Sequence, residues 1–354
     1  MTSGKTAANA DNAGATAARV SFDDNGLAMA LFGSHHSHLA RVEQALEVDI
    51  RTRGNELTLA GDADAVDGAR RVLNSLYARL REGRDIDMAD VDAALRMVSA
   101  PGGNLADADV VIRTRNRQIS PRSPTQAVYV RAMDEVELVF GEGPAGTGKT
   151  YLAVAKAVER LVQGDVDRII LSRPAVEAGE QLGFLPGDMR EKVDPYLRPL
   201  YDALYDMLPA PQVVKRLESG EIEVAPLAFM RGRTLTNAFV ILDEAQNTTA
   251  VQMKMFLTRL GENSRMVITG DLSQVDLPRG TRSGLRDAME TLDGVAGVRF
   301  VQFGEADVVR HPLVARIVNA YGTVERRRRS SAPYETKSSG GGSDGNETKD
   351  TADT

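Results

Sequence analysis

Gly143-Pro144-Ala145-Gly146-Thr147-Gly148-Lys149-Thr150 is the stretch on which the fold turns. It satisfies every fixed position of the phosphate-loop pattern G-x-x-x-x-G-K-[ST]. The pattern has a physical origin. Consecutive backbone N–H groups can converge on one polyphosphate only where glycine removes a Cβ that would block the anion or forbid the dihedral. A helix starting directly after the loop adds unpaired first-turn donors and the positive end of its dipole. Lys149 is then expected to reach the β- and γ-phosphates, and the Thr150 hydroxyl to ligate Mg²⁺.

The flanks agree with this reading. Val136-Glu137-Leu138-Val139-Phe140 reads as a buried strand, and Leu152, Ala155, Val158 and Val162 recur at helical spacing. Strand, glycine loop and helix follow in the required order, which implies a nucleoside triphosphate site. A hundred residues on, roughly, Ala238-Phe239-Val240-Ile241-Leu242-Asp243-Glu244 is a second buried strand, ending in paired carboxylates. Asp243 is expected to hold Mg²⁺, largely through water, and Glu244 to orient and deprotonate an attacking water. A third buried strand, Met266-Val267-Ile268-Thr269, runs into Gly270-Asp271 with Gln274 close behind. Ligands of open α/β sheets sit at the carboxyl ends of strands, so Asp271 and Gln274 are candidate sensors of the terminal phosphate. Val298 to Phe303 supplies a further strand, and a terminal helix runs through Leu313, Ile317 and Ala320.

The chain has 354 residues, a net charge of −7 and no cysteine. The length suits two domains, and the missing cysteines exclude disulfides, thiolate metal sites and a cysteine nucleophile. No apolar h-region opens the sequence and no run approaches the ~18 apolar residues of a membrane span, so a soluble cytoplasmic protein is expected. The acidic balance excludes a uniformly basic nucleic-acid coat and leaves only local patches. Residues 1–19 and 325–354 read as disordered tails, the second headed by a block of four arginines, Arg326 to Arg329.

Residues 20–100 form a separate small α/β module. Leu39, Val42 and Leu46 mark a helix, Val48 to Leu59 a hairpin around Gly54-Asn55, and Val66 to Leu80 a longer helix. Helix, hairpin, helix is the arrangement of a KH-type RNA-binding domain, in which a GxxG loop clamps nucleotide backbone. The corresponding stretch is Gly33-Ser34-His35-His36-Ser37-His38, which lacks the second glycine. Its histidines bring no carboxylate or thiol at metal-ligand spacing, so loop polarity or a weak phosphate contact is the favoured reading. Val91, Ala94, Leu95 and Val98 suggest another short helix, closed by Pro101-Gly102-Gly103. Residues 101–117 read as a basic linker or strand. As a strand, Arg113, Arg115 and Arg117 share one face, suited either to phosphate or to a charged, solvated edge.

Asp243-Glu244-Ala245-Gln246 with Gly270-Asp271-x-x-Gln274 resembles motifs II and III of superfamily 1 helicases. Together with the phosphate loop, Arg173-Pro174-Ala175-Val176-Glu177-Ala178-Gly179-Glu180, Leu185-Pro186-Gly187-Asp188 and Arg310-His311-Pro312, the chain is similar to the PhoH-like proteins, in their YbeZ-type branch. The resemblance implies a RecA-like P-loop NTPase core over residues 118–324. It implies Gln126 as an adenine-recognising glutamine, and Arg173 to Asp188 as a segment coupling nucleotide state to RNA. It also implies an ATPase of RNA metabolism, linked to ribosome maturation and to a YbeY-type endoribonuclease. The expected activity is Mg²⁺-dependent ATP hydrolysis coupled to binding or remodelling of single-stranded RNA. An ATP-gated RNA clamp and a regulatory ATPase acting on a protein partner are the alternatives. One core of about 200 residues lacks the second RecA-like domain of superfamily 1 helicases. A homo-oligomer, a hexameric ring, is therefore expected to complete the site, with Arg310 as the trans arginine and Arg279 and Arg282 as runners-up.

Overall fold

The computed structural model describes residues 16–100, 110–174 and 189–309, and beyond them the helical positions 313, 314, 316, 317 and 320. The N-terminal module runs β1 (Thr16–Ser21), α1 (Asn25–Phe32), α2 (Ser37–Leu46), β2 (Asp49–Arg53), β3 (Glu56–Gly61), α3 (Ala63–Arg81) and α4 (Met88–Ser99). Its three strands are antiparallel in the order β1-β3-β2. Leu57 and Leu59 of β3 alternate inward against Val66, Val72, Leu73 and Leu76 of α3, all buried in one cluster. Helix α3 starts at Asp62, whose carboxylate caps the Asp64 N–H, and α4 starts in a capping box between Asp87 and Asp90.

Two expectations change here. Thr16–Arg19 belong to β1, not to a disordered tail; only Val20 of that strand is buried, so its apolar signal is faint and the β3 ladder supplies the reason to fold. The arginine strand is absent as well. Ile112–Arg113 (β4) and Gln118–Ile119 (β5) are the two arms of a tight hairpin. The Thr114 hydroxyl bonds the Arg117 carbonyl at 2.9 Å and accepts its N–H at 3.1 Å, closing a local turn that competes with an extended strand. Arg113 and Arg117 therefore sit on opposite arms of the turn, and Arg117 pairs with Asp206 at 2.8 Å.

A six-stranded sheet organises the second module. Helix α5 (Pro124–Glu135) leads to β6 (Leu138–Glu142), the glycine loop, α6 (Lys149–Gln163) and β7 (Arg168–Arg173). Then follow α7 (Met189–Met207), α8 (Ala210–Glu218), β8 (Ile222–Pro226), β9 (Ala238–Leu242), α9 (Ala250–Leu257), β10 (Arg265–Gly270), α10 (Gly284–Thr291) and β11 (Val298–Gln302). All six strands are parallel in the order β11-β6-β10-β9-β7-β8. Period-two alternation divides them between two cores. Val139, Ile169, Leu171, Phe239, Ile241 and Val267 pack with α5, α6 and α7, whereas Phe140, Ile170, Val240, Leu242, Met266 and Ile268 face α9 and α10. Covering both faces is what a parallel sheet requires, and it leaves the carboxyl edge of β6, β10, β9 and β7 open. This is the expected α/β P-loop core. Among the described residues no helix is long and apolar enough to cross a membrane.

Candidate nucleotide site

The loop between β6 and α6 is held from three sides. Gly143 (φ 144°) donates its N–H to Gly270 O at 3.1 Å, and a Cβ there would lie 2.4 Å from Phe303 O. Only glycine permits that approach. Gly146 O accepts the Val309 N–H at 3.0 Å, beyond β11. On the third side stands Gln126, buried in the first turn of α5. Its Nε2 donates to Thr147 O at 2.9 Å and its Oε1 accepts the Arg122 N–H at 2.6 Å. Gln126 thus braces the loop, with one amide hydrogen and one lone pair remaining for a base. Ala145 and Gly146 form the loop's turn, following Pro144, and Gly148 (φ 80°) caps α6.

Lys149, also buried, folds back on the loop, donating to Gly143 O at 2.6 Å and Pro144 O at 2.8 Å. Burial pulls its pKa down, while Asp271, Asp243 and Glu244 pull the other way. Lys149 is the first residue of α6, whose N-terminal N–H groups and dipole favour an anion at this point. Thr150 Oγ1 donates to Asp243 Oδ1 at 2.6 Å, and Thr269 Oγ1, from the intervening strand β10, donates to the same oxygen at 2.7 Å. Sequence reasoning missed Thr269, although its place at the tip of a predicted strand was a signal.

Glu244 follows with φ 53°, a left-handed conformation unusual for a non-glycine residue and common where a side chain must be aimed at a site. Gln246 Nε2 donates to Glu244 Oε2 at 2.6 Å, and its Oε1 accepts the Asp271 N–H at 3.1 Å, so one amide ties Glu244 to the tip of β10. Arg173 NH2 lies 3.6 Å from Glu244 Oε1. Asp271 accepts from Ser273 N at 2.9 Å, from Ser273 Oγ at 2.6 Å and from the Gln274 amide. Burial raises its pKa, but these donors outweigh burial and hold it below the ordinary carboxylate range.

Lys149, Thr150, Asp243, Glu244, Asp271 and Gln274 all line one cleft of about 720 Å³, whose far wall is α7. Tyr151, on α6, reaches across to that wall, donating its hydroxyl to Asp206 at 2.6 Å. Arg310 lies outside the described residues, as does the coupling segment from 175 to 188. Of the runners-up, Arg282 pairs with Asp287 and Glu290 of the following helix α10.

A family model described as "PhoH-like protein" matches residues 118–322. A PhoH-like protein of Bacillus subtilis is 52% identical over 298 residues, 83% of this chain and 93% of its own length. One from Mycobacterium tuberculosis is 50% identical over 334 residues, 92% of this chain and 94% of its own. Two solved structures align more loosely. The Sulfolobus solfataricus SWI2/SNF2 ATPase core with dsDNA (13% identity, TM-score 0.32) covers 60% of this chain and 54% of its own. The Pif1 helicase of Candida albicans (14%, TM-score 0.32) covers 61% and 49%. That likeness is too slight to bear on function. With a family match over more than half its length and relatives at about 50% identity over 83–92% of it, the chain belongs to the PhoH-like family.

Proposed function

We propose that the chain hydrolyses ATP at this cleft and couples the reaction to single-stranded RNA. The observation that carries the hydrolysis is the convergence of the Thr150 and Thr269 hydroxyls on one Asp243 oxygen, with Glu244 as the next residue. Thr150 and Asp243 fit Mg²⁺. They are hard oxygen donors already in contact at 2.6 Å, and they would hold the ion together with nucleotide phosphate and water. When bound, the metal supplies neutralisation of charge on the β- and γ-oxygens. The loop's N–H groups and Lys149 bind and orient the triphosphate. Glu244 accepts a proton from the attacking water, whose oxygen bonds the terminal phosphorus. The bond from phosphorus to the bridging oxygen breaks, and its electron pair leaves with ADP. Asp271 and Gln274, at the tip of β10, sense the terminal phosphate.

For RNA, support comes from the N-terminal module. The order β1-β3-β2 with α1 and α2 between β1 and β2 suits a KH-like domain. At the candidate clamp, His35 (φ 51°) and His36 (φ 60°) both take left-handed conformations after Gly33, so the turn forms without the second glycine. A ring of subunits, with Arg310 acting in trans, and a YbeY-type or ribosome-maturation partner in the cytoplasm extend the same proposal. The test is ATP turnover with single-stranded RNA, single-stranded DNA, duplex or no nucleic acid. Stimulation by single-stranded RNA, weakening steeply with salt, is expected. Turnover indifferent to every nucleic acid would favour the regulatory ATPase acting on a protein.

A further inference from the structure

The cleft is acidic for a polyanion's site. Among its described lining residues, Asp202, Asp206, Asp243, Glu244 and Asp271 are carboxylates, whereas Lys149 and Arg173 are the cations. Lys149 belongs to the loop, and Arg173 has no part in the reaction derived above. Arg173 is the last residue of β7, which pairs with β9, the strand that delivers Asp243 and Glu244. Its guanidinium faces Glu244 Oε1 at 3.6 Å while Gln246 holds Oε2 at 2.6 Å. Both oxygens of the proton acceptor thus face protein groups, Oε2 through a hydrogen bond and Oε1 across an ion-pair distance. Both side chains remain partly accessible, Arg173 at 22% and Glu244 at 37%, so the pair can part without unpacking the sheet.

A guanidinium fork matches phosphate oxygens at least as well as it matches a carboxylate. We propose that Arg173 exchanges partners. Without a third phosphate it holds Glu244; with one it turns to the terminal phosphate and releases Glu244 to the attacking water. This rests on reading the cleft as an ATPase site. In the step, the water proton passes to Glu244, the water oxygen bonds the terminal phosphorus, and the bridging oxygen leaves on ADP with its electron pair. Arg173 offsets the charge carried by the transferred group's outer oxygens. Hydrolysis is thereby licensed by the presence of the third phosphate, and ADP leaves the base locked.

The exchange is tested by the Mg²⁺-dependent affinities of ADP and a non-hydrolysable ATP analogue for the full-length chain. The variants are Arg173→Ala, Arg173→Lys, Glu244→Gln and the Arg173→Ala/Glu244→Gln pair. Arg173→Ala should weaken the analogue by about ten- to a hundredfold while ADP stays within about twofold. Its turnover should fall about 10²- to 10³-fold. Glu244→Gln removes the competing partner, so the analogue should bind tighter than to the parent, and that gain should vanish in the Arg173→Ala background. Arg173→Lys should recover part of the analogue affinity. An unchanged analogue-to-ADP ratio in Arg173→Ala, or a Glu244→Gln gain that survives without Arg173, would overturn the proposal. So would loss of ADP binding in both Arg173 variants, which would assign the residue to the fold. If the parent binds both nucleotides yet hydrolyses neither, the ATPase reading fails, while the affinities still decide the exchange.

Discussion

Gln126→Ala separates a glutamine that braces the phosphate loop from one that only reads adenine. The substitution removes the donor to Thr147 O and the acceptor of the Arg122 N–H. The two losses are unequal. Arg122 is exposed and its N–H can take a water, whereas Thr147 is fully buried and its carbonyl is left without a donor. An orphaned buried carbonyl costs about 1–3 kcal/mol, so about 2 kcal/mol falls on the loop. If that energy is drawn from the conformation that receives phosphate, affinity drops roughly thirtyfold, at about 1.4 kcal/mol per decade. The loop contacts phosphates and not bases, so ATP and GTP should weaken together. Titration of fluorescent ATP and GTP analogues against parent and variant reads this directly, and any excess loss for ATP measures an adenine contact. Unchanged GTP affinity beside a large loss for ATP would refute the brace.

Gly143→Ala places a Cβ 2.4 Å from Phe303 O at a φ of 144°, which should cost about 3 kcal/mol and lower Tm by about 6–12 °C; an unshifted melting curve would mean the loop is not pinned to that strand end. Tyr151 has its pKa pushed up to about 12, by burial first and then by its bond to Asp206. A raised folded-state pKa gives stability present below the free tyrosine value of about 10 and lost as pH climbs through the folded value. Denaturation between those limits should show a steeper loss in the parent than in Tyr151→Phe, and equal slopes would remove the Asp206 bond from the account. Lys149→Ala and Arg310→Ala, each inactive alone, should recover partial turnover when mixed under subunit exchange, because some sites then combine an intact loop with an intact neighbouring arginine. No recovery despite exchange would count against Arg310.

The loop was legible because its chemistry is contiguous: eight residues, one anion. Strands β6, β9 and β10 were legible because a parallel sheet buried on both faces demands unbroken apolar runs, and their carboxylates follow immediately. Contacts made across the fold were not. The strand tip places Thr269 near the site, but the sequence does not show that its hydroxyl shares an oxygen with Thr150, 119 positions away on another element. The pairing of Arg173 with Glu244 depends on β7 lying beside β9, a fact of topology. Period two misled at Arg113, Arg115 and Arg117, since a hairpin turn sealed by the Thr114 hydroxyl accommodates the same spacing. Strand β1 carries too little apolar weight to be seen before its partner β3 is known.

Phosphate release from ATP by the parent and by Glu244→Gln, with and without Mg²⁺, tests the central claim most directly. Asp243 and its two threonine donors are untouched by the substitution, so nucleotide binding should persist. Turnover should require Mg²⁺ in the parent and be lost in the variant, because only the proton acceptor is gone. Release by Glu244→Gln at the parental rate would contradict the account.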